Sequence, residues 1–232
     1  MSLRIASYNI RKCIGLDRRR DPHRTADVIQ ALQADIILLQ EADKRLGARP
    51  AALPRDVIAQ FTHMHPQPER EGSHSLGAHG NAILINPNVS VEGVDFKNLP
   101  GTEPRGCVIA DLHTQQGPMR VVGVHLGLRR KDRLKQLLHL RSHLDALPAR
   151  PTIIAGDFNE WSGKKGLEPL KDMQVLSPGR SFHAARPIAH LDRIAHCTAL
   201  TLHAAGVDKS PLARHASDHL PVWAEFTVDD PV

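Results

Sequence analysis

The sequence predicts an α/β fold of the α+β type, in which two β-sheets pack face to face and helices cover their outer sides. The first observation behind this prediction is that strand-like segments outnumber helical ones. The second is that several of these segments are apolar throughout, as is typical of strands covered on both faces. A second sheet on one face and helices on the other would provide that cover.

The predicted strands run through most of the chain. Residues 3–10 alternate in polarity like a strand, whereas residues 35–40 form an almost continuous apolar run that predicts a strand buried on both faces. Further strands are predicted at residues 81–85, 89–96, 107–113, 120–124, 152–155, 191–195, 199–204 and 221–228. The stretch 45–75, rich in proline, glycine and histidine, is the least regular part of the chain.

Two helices are predicted between the strands. The first opens at Asp21-Pro22, because aspartate is a good N-cap and proline is favoured at the first helical position. Its apolar stripe is Ala26, Ile29 and Leu32, with Val28 beside it. The second and longest helix is predicted over residues 131–147, with a stripe at Leu134, Leu137, Leu138, Arg141 and Leu144.

The length and charge of the chain predict a globular protein that binds an anionic partner. The 232 residues suit one large α/β domain, and no linker interrupts them, so we expect a single domain over residues 1–232. The net charge of +5 and the pI near 9.4 suit an anionic substrate such as nucleic acid, phospholipid headgroups or small phosphate esters. A single tyrosine counts mildly against single-stranded nucleic acid, which usually stacks on aromatic side chains.

We expect a cytoplasmic protein without a membrane span. The first residues show no basic segment followed by an apolar one, so no secretory signal is visible. No apolar run approaches the roughly 20 residues of a transmembrane helix. Three widely spaced cysteines argue against a disulfide framework and for a reducing compartment. We interpret each of them as a small buried apolar residue.

Polar side chains recur where apolar strands begin or end. This placement is shared by Asn9, Glu41, His125, Asp157, Asn159, Asp192, Asp218 and His219. Any one of them has an ordinary explanation, since an acid often caps a turn and a half-buried histidine often has a structural role. Together they indicate that polar side chains from many strand ends converge on one cleft at one end of the sandwich.

Three motifs carry a resemblance to a known family. Gln40-Glu41, Gly156-Asp157-Phe158-Asn159 and Ser217-Asp218-His219 resemble the signature of the DNase I-like endonuclease/exonuclease/phosphatase superfamily. Asn9, His125 and Asp192 fill the remaining positions of that signature, and the matches span residues 3–226 in the family's order. The resemblance implies a four-layer sandwich of two packed, mixed β-sheets flanked by helices. It also implies a metal-dependent phosphoesterase.

The resemblance implies a divalent cation, Mg²⁺ or Mn²⁺, near the first strands. Glu41 would bind the metal, with Asn9 beside it and Asp218 near the same site. Carboxylate and amide oxygens suit magnesium, which keeps several waters and binds substrate phosphate. Arg11 occupies a position at which some abasic-site repair nucleases of the family carry an acid, which speaks against a second metal that relies on that acid.

The same resemblance implies roles for the catalytic residues. Asp157 would orient or deprotonate the attacking water, and Asn159 would contact a phosphoryl oxygen. His219 would stabilise the transition state or act as the base itself, with Asp192 orienting its imidazole. His125 would contact the phosphate and protonate the leaving oxygen. His125 replaces a tyrosine of the abasic-site nucleases and favours the DNase I and sphingomyelinase side of the family.

Several other residues are weaker candidates. Arg105 and the cluster Arg129-Arg130-Lys131 are candidate anion contacts, although the cluster is better interpreted as a solvated helix start. Arg11 would clamp a phosphate or have no specific role, His79 would lie at the site rim, and Trp161 would wall the pocket or pack in the core. The rival hypothesis is a catalytically inactive binding or regulatory protein that keeps this fold.

Overall fold

Two six-stranded β-sheets form the centre of the computed structural model, which describes residues 2–44, 47–68, 73–163 and 165–229. In chain order the strands are β1 (Leu3–Asn9), β2 (Ile36–Gln40), β3 (His65–Pro66), β4 (Ala82–Ile85), β5 (Ser90–Leu99), β6 (Arg105–Thr114), β7 (Gly117–His125), β8 (Thr152–Asp157), β9 (Gln174–Leu176), β10 (Asp192–His196), β11 (Leu200–Val207) and β12 (Val222–Val228). The helices are α1 (Pro22–Leu32), α2 (Arg55–Phe61), α3 (Arg130–Asp145) and α4 (Pro211–Ala216), with single 3₁₀ turns at Arg11–Cys13 and Glu168–Leu170.

The first sheet has the strand order β11-β12-β1-β2-β4-β3, and the second has the order β5-β6-β7-β8-β10-β9. Both sheets are mixed: β1 pairs in parallel with β2, and β7 in parallel with β8, whereas their other neighbours are antiparallel. The predicted sandwich of two mixed sheets with helices outside is confirmed.

Three apolar cores hold these layers together. One lies between the two sheets, and the other two lie between each sheet and its helices. Strand β1 contributes to two cores, because alternate side chains of a strand point to opposite faces. Leu3 and Ile5 face the inter-sheet core, whereas Tyr8 and Ile10 face the core under α1.

The prediction for α1 is confirmed. The side chain of Asp21 accepts a hydrogen bond from the backbone N–H of Arg24 at 3.1 Å, which is the expected N-cap contact. Pro22 occupies the first turn. The predicted stripe, together with Val28, is buried.

The predicted stripe of α3 is partly wrong. Leu138 is 59% exposed, whereas Leu140, which lies outside the predicted stripe, is buried with Leu137 and Leu144. These three follow the spacing of one helical face and pack on the outer side of the second sheet. Leu138 lies just beside that face and points into solvent.

Short elements were missed by the sequence prediction. Helix α2 lies within the stretch that reads as irregular, and residues 45–46 and 69–72 of that stretch lie outside the described residues. Strands β3 and β9 and helix α4 are two, three and six residues long. Such lengths are too short for a periodic pattern to develop. Among the described residues, no helix is both long and apolar enough to cross a membrane.

Strand pairing places the predicted site residues at one end of the sandwich. Asn9 pairs with Gln40, the residue before Glu41, at the carboxyl ends of β1 and β2. In the second sheet, Asp157 pairs with His125 on one side and with Asp192 on the other. The carboxyl ends of the two parallel strand pairs and the start of β10 therefore lie at the same end of the sandwich.

Candidate active site

Asp157 lies at the centre of a buried polar cluster. It is 1% exposed, and its Oδ2 atom accepts a hydrogen bond from Asn9 Nδ2 at 3.1 Å. The Nε2 atoms of His125 and His219 approach the same oxygen at 3.4 and 3.6 Å. Three chain segments from both sheets therefore converge on one carboxylate oxygen. We call Asn9, His125, Asp157, Asn159, Asp192 and His219 the Asp157 cluster.

Asn159 belongs to the loop that follows β8. Its backbone N–H donates to Asp157 Oδ1 at 2.9 Å, and its side-chain Nδ2 donates to the Leu126 carbonyl at 2.9 Å. Gly156 makes this path possible, because its φ is +155° and a Cβ there would lie 1.8 Å from the Val124 carbonyl oxygen. The Gly-Asp-Phe-Asn motif thus requires glycine for a steric reason.

His219 is held between two carboxylates. Its Nδ1 lies 2.8 Å from Asp192 Oδ2, which also accepts a 2.5 Å hydrogen bond from the Ser181 hydroxyl. Burial alone would lower the pKa of His219, but the charges of Asp192 and Asp157 outweigh it and raise the pKa to about 9. His219 is therefore held as an imidazolium at neutral pH. Ser181 is fully buried and was missed by the sequence prediction, because no motif marks it.

His125 lies in the opposite electrostatic environment. Burial lowers its pKa to about 3, and the nearby charges of Arg105 and Lys12 act in the same direction. The charge of Asp157 opposes this shift without overcoming it. The His125 imidazole is therefore neutral over the physiological pH range.

The two carboxylates predicted to bind metal each hold a side-chain cation. Lys12 Nζ contacts Glu41 Oε2, and Arg11 Nε lies 3.3 Å from Asp218 Oδ2. Both cations come from the turn after β1, where the φ values of Arg11 and Lys12 are +45° and +59°. The ion pair of Arg11 differs from both sequence interpretations, a phosphate clamp and a residue without a specific role.

A second group of residues could also hold an ion. One ligand atom each of Asp157, Asp192 and His219 lies within 4.8 Å of the others, and all three side chains are buried. An ion bound there would compete with the hydrogen bond that joins His219 Nδ1 to Asp192 Oδ2. Glu41 and Asp218, by contrast, are partly exposed, and each forms an ion pair with a cationic side chain.

A pocket of about 380 Å³ opens beside the Asp157 cluster, with His125 in its wall. His79, which was predicted to lie at the site rim, also lines it, as does Arg105, a predicted anion contact. Trp161 is 62% exposed, so its interpretation as a core residue was wrong, and it is not among the residues that line this pocket. In the Arg129-Arg130-Lys131 cluster, Arg130 forms an ion pair with Glu160 at 2.8 Å.

Comparisons with known proteins agree with these features. A family model described as the endonuclease/exonuclease/phosphatase family matches residues 6–219. The uncharacterized protein YbhP of Escherichia coli K12 is 32% identical to this chain over 97% of it and 96% of YbhP.

Two solved structures show the same fold. A conserved protein of unknown function from Enterococcus faecalis V583 has a TM-score of 0.80 at 21% identity, covering 98% of this chain and 100% of that one. The mannosyl-6-phosphatase Bt3783 of Bacteroides thetaiotaomicron has a TM-score of 0.77 at 17% identity, covering 97% and 100%. With the family model and YbhP, these matches lead to one conclusion: the chain belongs to the endonuclease/exonuclease/phosphatase family.

Proposed function

We propose that this protein is a divalent-metal-dependent phosphoesterase that hydrolyses a phosphodiester or a phosphomonoester by attack of an activated water. The observation that carries the proposal is the convergence of Asn9, His125 and His219 on the buried carboxylate of Asp157, each within 3.6 Å. Prearranged charges and donors in a protected cleft are what phosphoryl transfer requires of a protein. Membership of the family supports the same reaction class.

We assign the metal, Mg²⁺ or Mn²⁺, to Asn9, Glu41 and Asp218. Their carboxylate and amide oxygens are the hard donors that these ions prefer. The fit is supported by Lys12 and Arg11, whose charges lie on Glu41 and Asp218 where a cation is expected. When bound, the ion supplies positive charge that polarises the phosphoryl group. His219 and Asp192 form a hydrogen bond with each other, and we assign them to catalysis rather than to the metal.

We assign to Asp157 the role of general base, which accepts the proton of the attacking water. His219 is a poor proton acceptor, because Asp192 and Asp157 keep it protonated. It suits the stabilisation of negative charge on the phosphoryl oxygens instead. The amide of Asn159 is oriented by the Leu126 carbonyl, which leaves its second N–H for a phosphoryl oxygen.

The neutral state of His125 supports a contact to phosphate through an N–H donor. A buried imidazole with a pKa near 3 is seldom protonated at pH 7, so it has little capacity to deliver a proton to the leaving oxygen. We therefore favour phosphate binding over acid catalysis for this residue.

The test is Mg²⁺-dependent hydrolysis of p-nitrophenyl phosphate and bis-p-nitrophenyl phosphate. The wild-type protein should release p-nitrophenol with Mg²⁺ or Mn²⁺ and stop in EDTA, and Asp157→Asn should lose most of this activity. A screen of plasmid DNA, RNA, sphingomyelin-type lipids, inositol phosphates and sugar phosphates would then identify the substrate class. Absence of hydrolysis throughout this screen would support the rival hypothesis, a binding or regulatory protein without turnover.

A further inference from the structure

The pocket beside the Asp157 cluster has a charge pattern that the proposed chemistry does not use. Its walls come from the loop after β2, the turn before β4 and the segment that leads into β6. We call it the Arg49 pocket, after the arginine on its rim. His125 belongs to both the pocket and the cluster, so a molecule bound at the cluster extends into this space.

Two of the acids that line the Arg49 pocket are held by other groups of the protein. Asp43 accepts hydrogen bonds from the backbone N–H groups of Leu76 at 2.8 Å and Gly80 at 3.1 Å, and Glu41 pairs with Lys12. Lys44 and Arg49 also line the pocket, and neither forms an ion pair with any carboxylate among the described residues. The described lining of the pocket therefore carries a net positive charge, because its four cationic side chains outnumber its three carboxylates.

Arg49 is positioned by a chain of side-chain contacts. His79 Nε2 lies 2.8 Å from Asn98 Oδ1, and in the neutral tautomer that donates from Nε2 to this oxygen Nδ1 is an acceptor. Arg49 Nη1 approaches that Nδ1 atom at 3.5 Å. The ring of His79 fits because residue 106 is glycine, where a Cβ would lie 2.6 Å from His79 Cδ2.

Arg105 adds a partly satisfied guanidinium to the same pocket. Its Nη2 donates to Glu103 Oε2 at 2.8 Å, whereas its Nε is buried and has no hydrogen-bond partner among the described residues. A buried donor without a partner is unfavourable unless water or a ligand satisfies it. Glu103 is itself held by the backbone N–H of Leu128 at 3.2 Å.

We propose that the Arg49 pocket binds a second anionic group of the substrate through Arg49 and Arg105, and that the substrate is a small phosphate ester with two anionic groups. This inference rests on the proposed function, because it places the scissile phosphate at the Asp157 cluster. The second group is a phosphate or a carboxylate, since guanidinium groups bind both through paired hydrogen bonds. In this proposal Arg49 and Arg105 set specificity and take no part in bond cleavage.

A small molecule fits this pocket better than a nucleic acid strand does. A volume of about 380 Å³ is near the lower end of the range for ligand pockets, and it suits a molecule of sugar-phosphate size. Single strands are usually bound on stacked aromatic side chains. None of the described residues that line the pocket is a tryptophan, tyrosine or phenylalanine.

The experiment measures binding by calorimetry in Mg²⁺, using the full chain with Asp157→Asn to prevent turnover. Fructose 6-phosphate is compared with fructose 1,6-bisphosphate, and glucose 6-phosphate with 6-phosphogluconate, so that the added group is a phosphate in one pair and a carboxylate in the other. The doubly anionic member of at least one pair should bind about tenfold more tightly, as expected for a charge-assisted contact. Adding Arg49→Ala should abolish most of that preference, and Arg105→Ala should reduce it.

The matched control is Arg18→Ala, which removes an exposed arginine outside the pocket and should preserve the preference. Equal affinity for both members of both pairs, or a preference that survives Arg49→Ala, would overturn the proposal. So would tighter, Arg49-dependent binding of a DNA or RNA oligonucleotide. Should Asp157→Asn not fold, the wild-type chain with Ca²⁺ in place of Mg²⁺ provides the same comparison. If the protein prefers the doubly anionic ligand but hydrolyses none of the substrates tested, the proposed anion-binding role of the pocket stands and only the proposed function is refuted.

Discussion

At the scale of single residues, the two buried histidines of the site lie in opposite environments. His219 lies between Asp192 and Asp157, which raise its pKa to about 9 against the effect of burial. His125 is close to Arg105 and Lys12, and burial lowers its pKa to about 3. Titratable groups whose pKa values are driven apart commonly carry different roles in catalysis. A cationic His219 and a neutral His125 fit charge stabilisation and phosphate binding, respectively.

The dyad of Asp192 and His219 should behave as one unit. We expect Asp192→Asn and His219→Ala each to reduce kcat by roughly 10²-fold, since both remove the positioned cation. Residues that act as a unit are non-additive, so the double variant should be little worse than His219→Ala alone. The measurement is kcat and KM for each variant with bis-p-nitrophenyl phosphate, after circular dichroism has verified folding. Losses that simply multiply would refute the dyad.

The raised pKa of His219 gives a second prediction at this scale. In EDTA, NMR titration of His219 should give a pKa near 9, and Asp192→Asn should lower it because the nearest carboxylate charge is lost. A group whose pKa is higher in the folded than in the unfolded protein stabilises the folded state while the group is protonated. This contribution is fully present below pH 6.5 and is lost as the pH rises through about 9. An unchanged His219 titration in Asp192→Asn would contradict the assignment.

At the scale of secondary structure elements, long segments with a clear period were predicted and short ones were not. Strand β2 is identified by its apolar run and α1 by its cap and stripe, because these signals are local. Helix α4 has a capping signal, Ser210 before Pro211, and Ser210 Oγ accepts from the Ala213 N–H at 3.2 Å. Six residues are too few to reveal its buried face.

The site shows the same division. The motifs around Asp157 and His219 mark the chemistry in the sequence itself. The pairing of Lys12 with Glu41 and the hydrogen bond from Ser181 to Asp192 depend on the folded chain, because each joins segments that are distant in sequence. Such contacts have no local pattern from which they could be predicted.

The loop after β8 depends on a buried ion-pair network that the sequence prediction also missed. Glu160 is 1% exposed and accepts hydrogen bonds from Arg133 at 2.6 Å and Arg130 at 2.9 Å. The buried Arg193 donates to the carbonyls of Glu160 and Ser162 at 2.9 and 3.0 Å. These contacts fix the loop immediately after Asn159.

We therefore expect Glu160→Gln to lower the free energy of unfolding by about 3 kcal/mol, because it leaves the buried guanidinium of Arg133 without its counter-charge. The matched control is Asp172→Asn, which breaks an exposed ion pair with Arg141 and should cost under about 1 kcal/mol. Urea denaturation of the three proteins measures both values. Equal, small losses would show that the network contributes little to the stability of the loop.

At the scale of the whole molecule, the active site is assembled from both sheets. Asn9 ends one strand of the first sheet and Glu41 follows another, whereas His125 and Asp157 end strands of the second. The sheets are joined by the inter-sheet apolar core and by Asn81, whose Nδ2 donates to the Gly106 carbonyl at 2.9 Å. The relative position of the proposed metal ligands and of the catalytic groups therefore depends on the folded sandwich.

This arrangement predicts that a divalent cation stabilises the fold, because the ligand positions exist only in the folded protein. At a Mg²⁺ concentration of about 100 times Kd, binding adds roughly 2.7 kcal/mol to the free energy of unfolding, which corresponds to an increase in Tm of roughly 5–10 °C for a chain of this length.

Glu41→Gln should fold yet show little of this increase, since an amide lacks the carboxylate charge. Asp27→Asn, at an exposed acid outside the site, should respond like the wild type. The measurement is Tm by scanning calorimetry with MgCl₂ against KCl of equal ionic strength. A full Mg²⁺ response in Glu41→Gln would remove Glu41 from the metal site, and its loss in Asp192→Asn alone would instead place the ion at Asp157, Asp192 and His219.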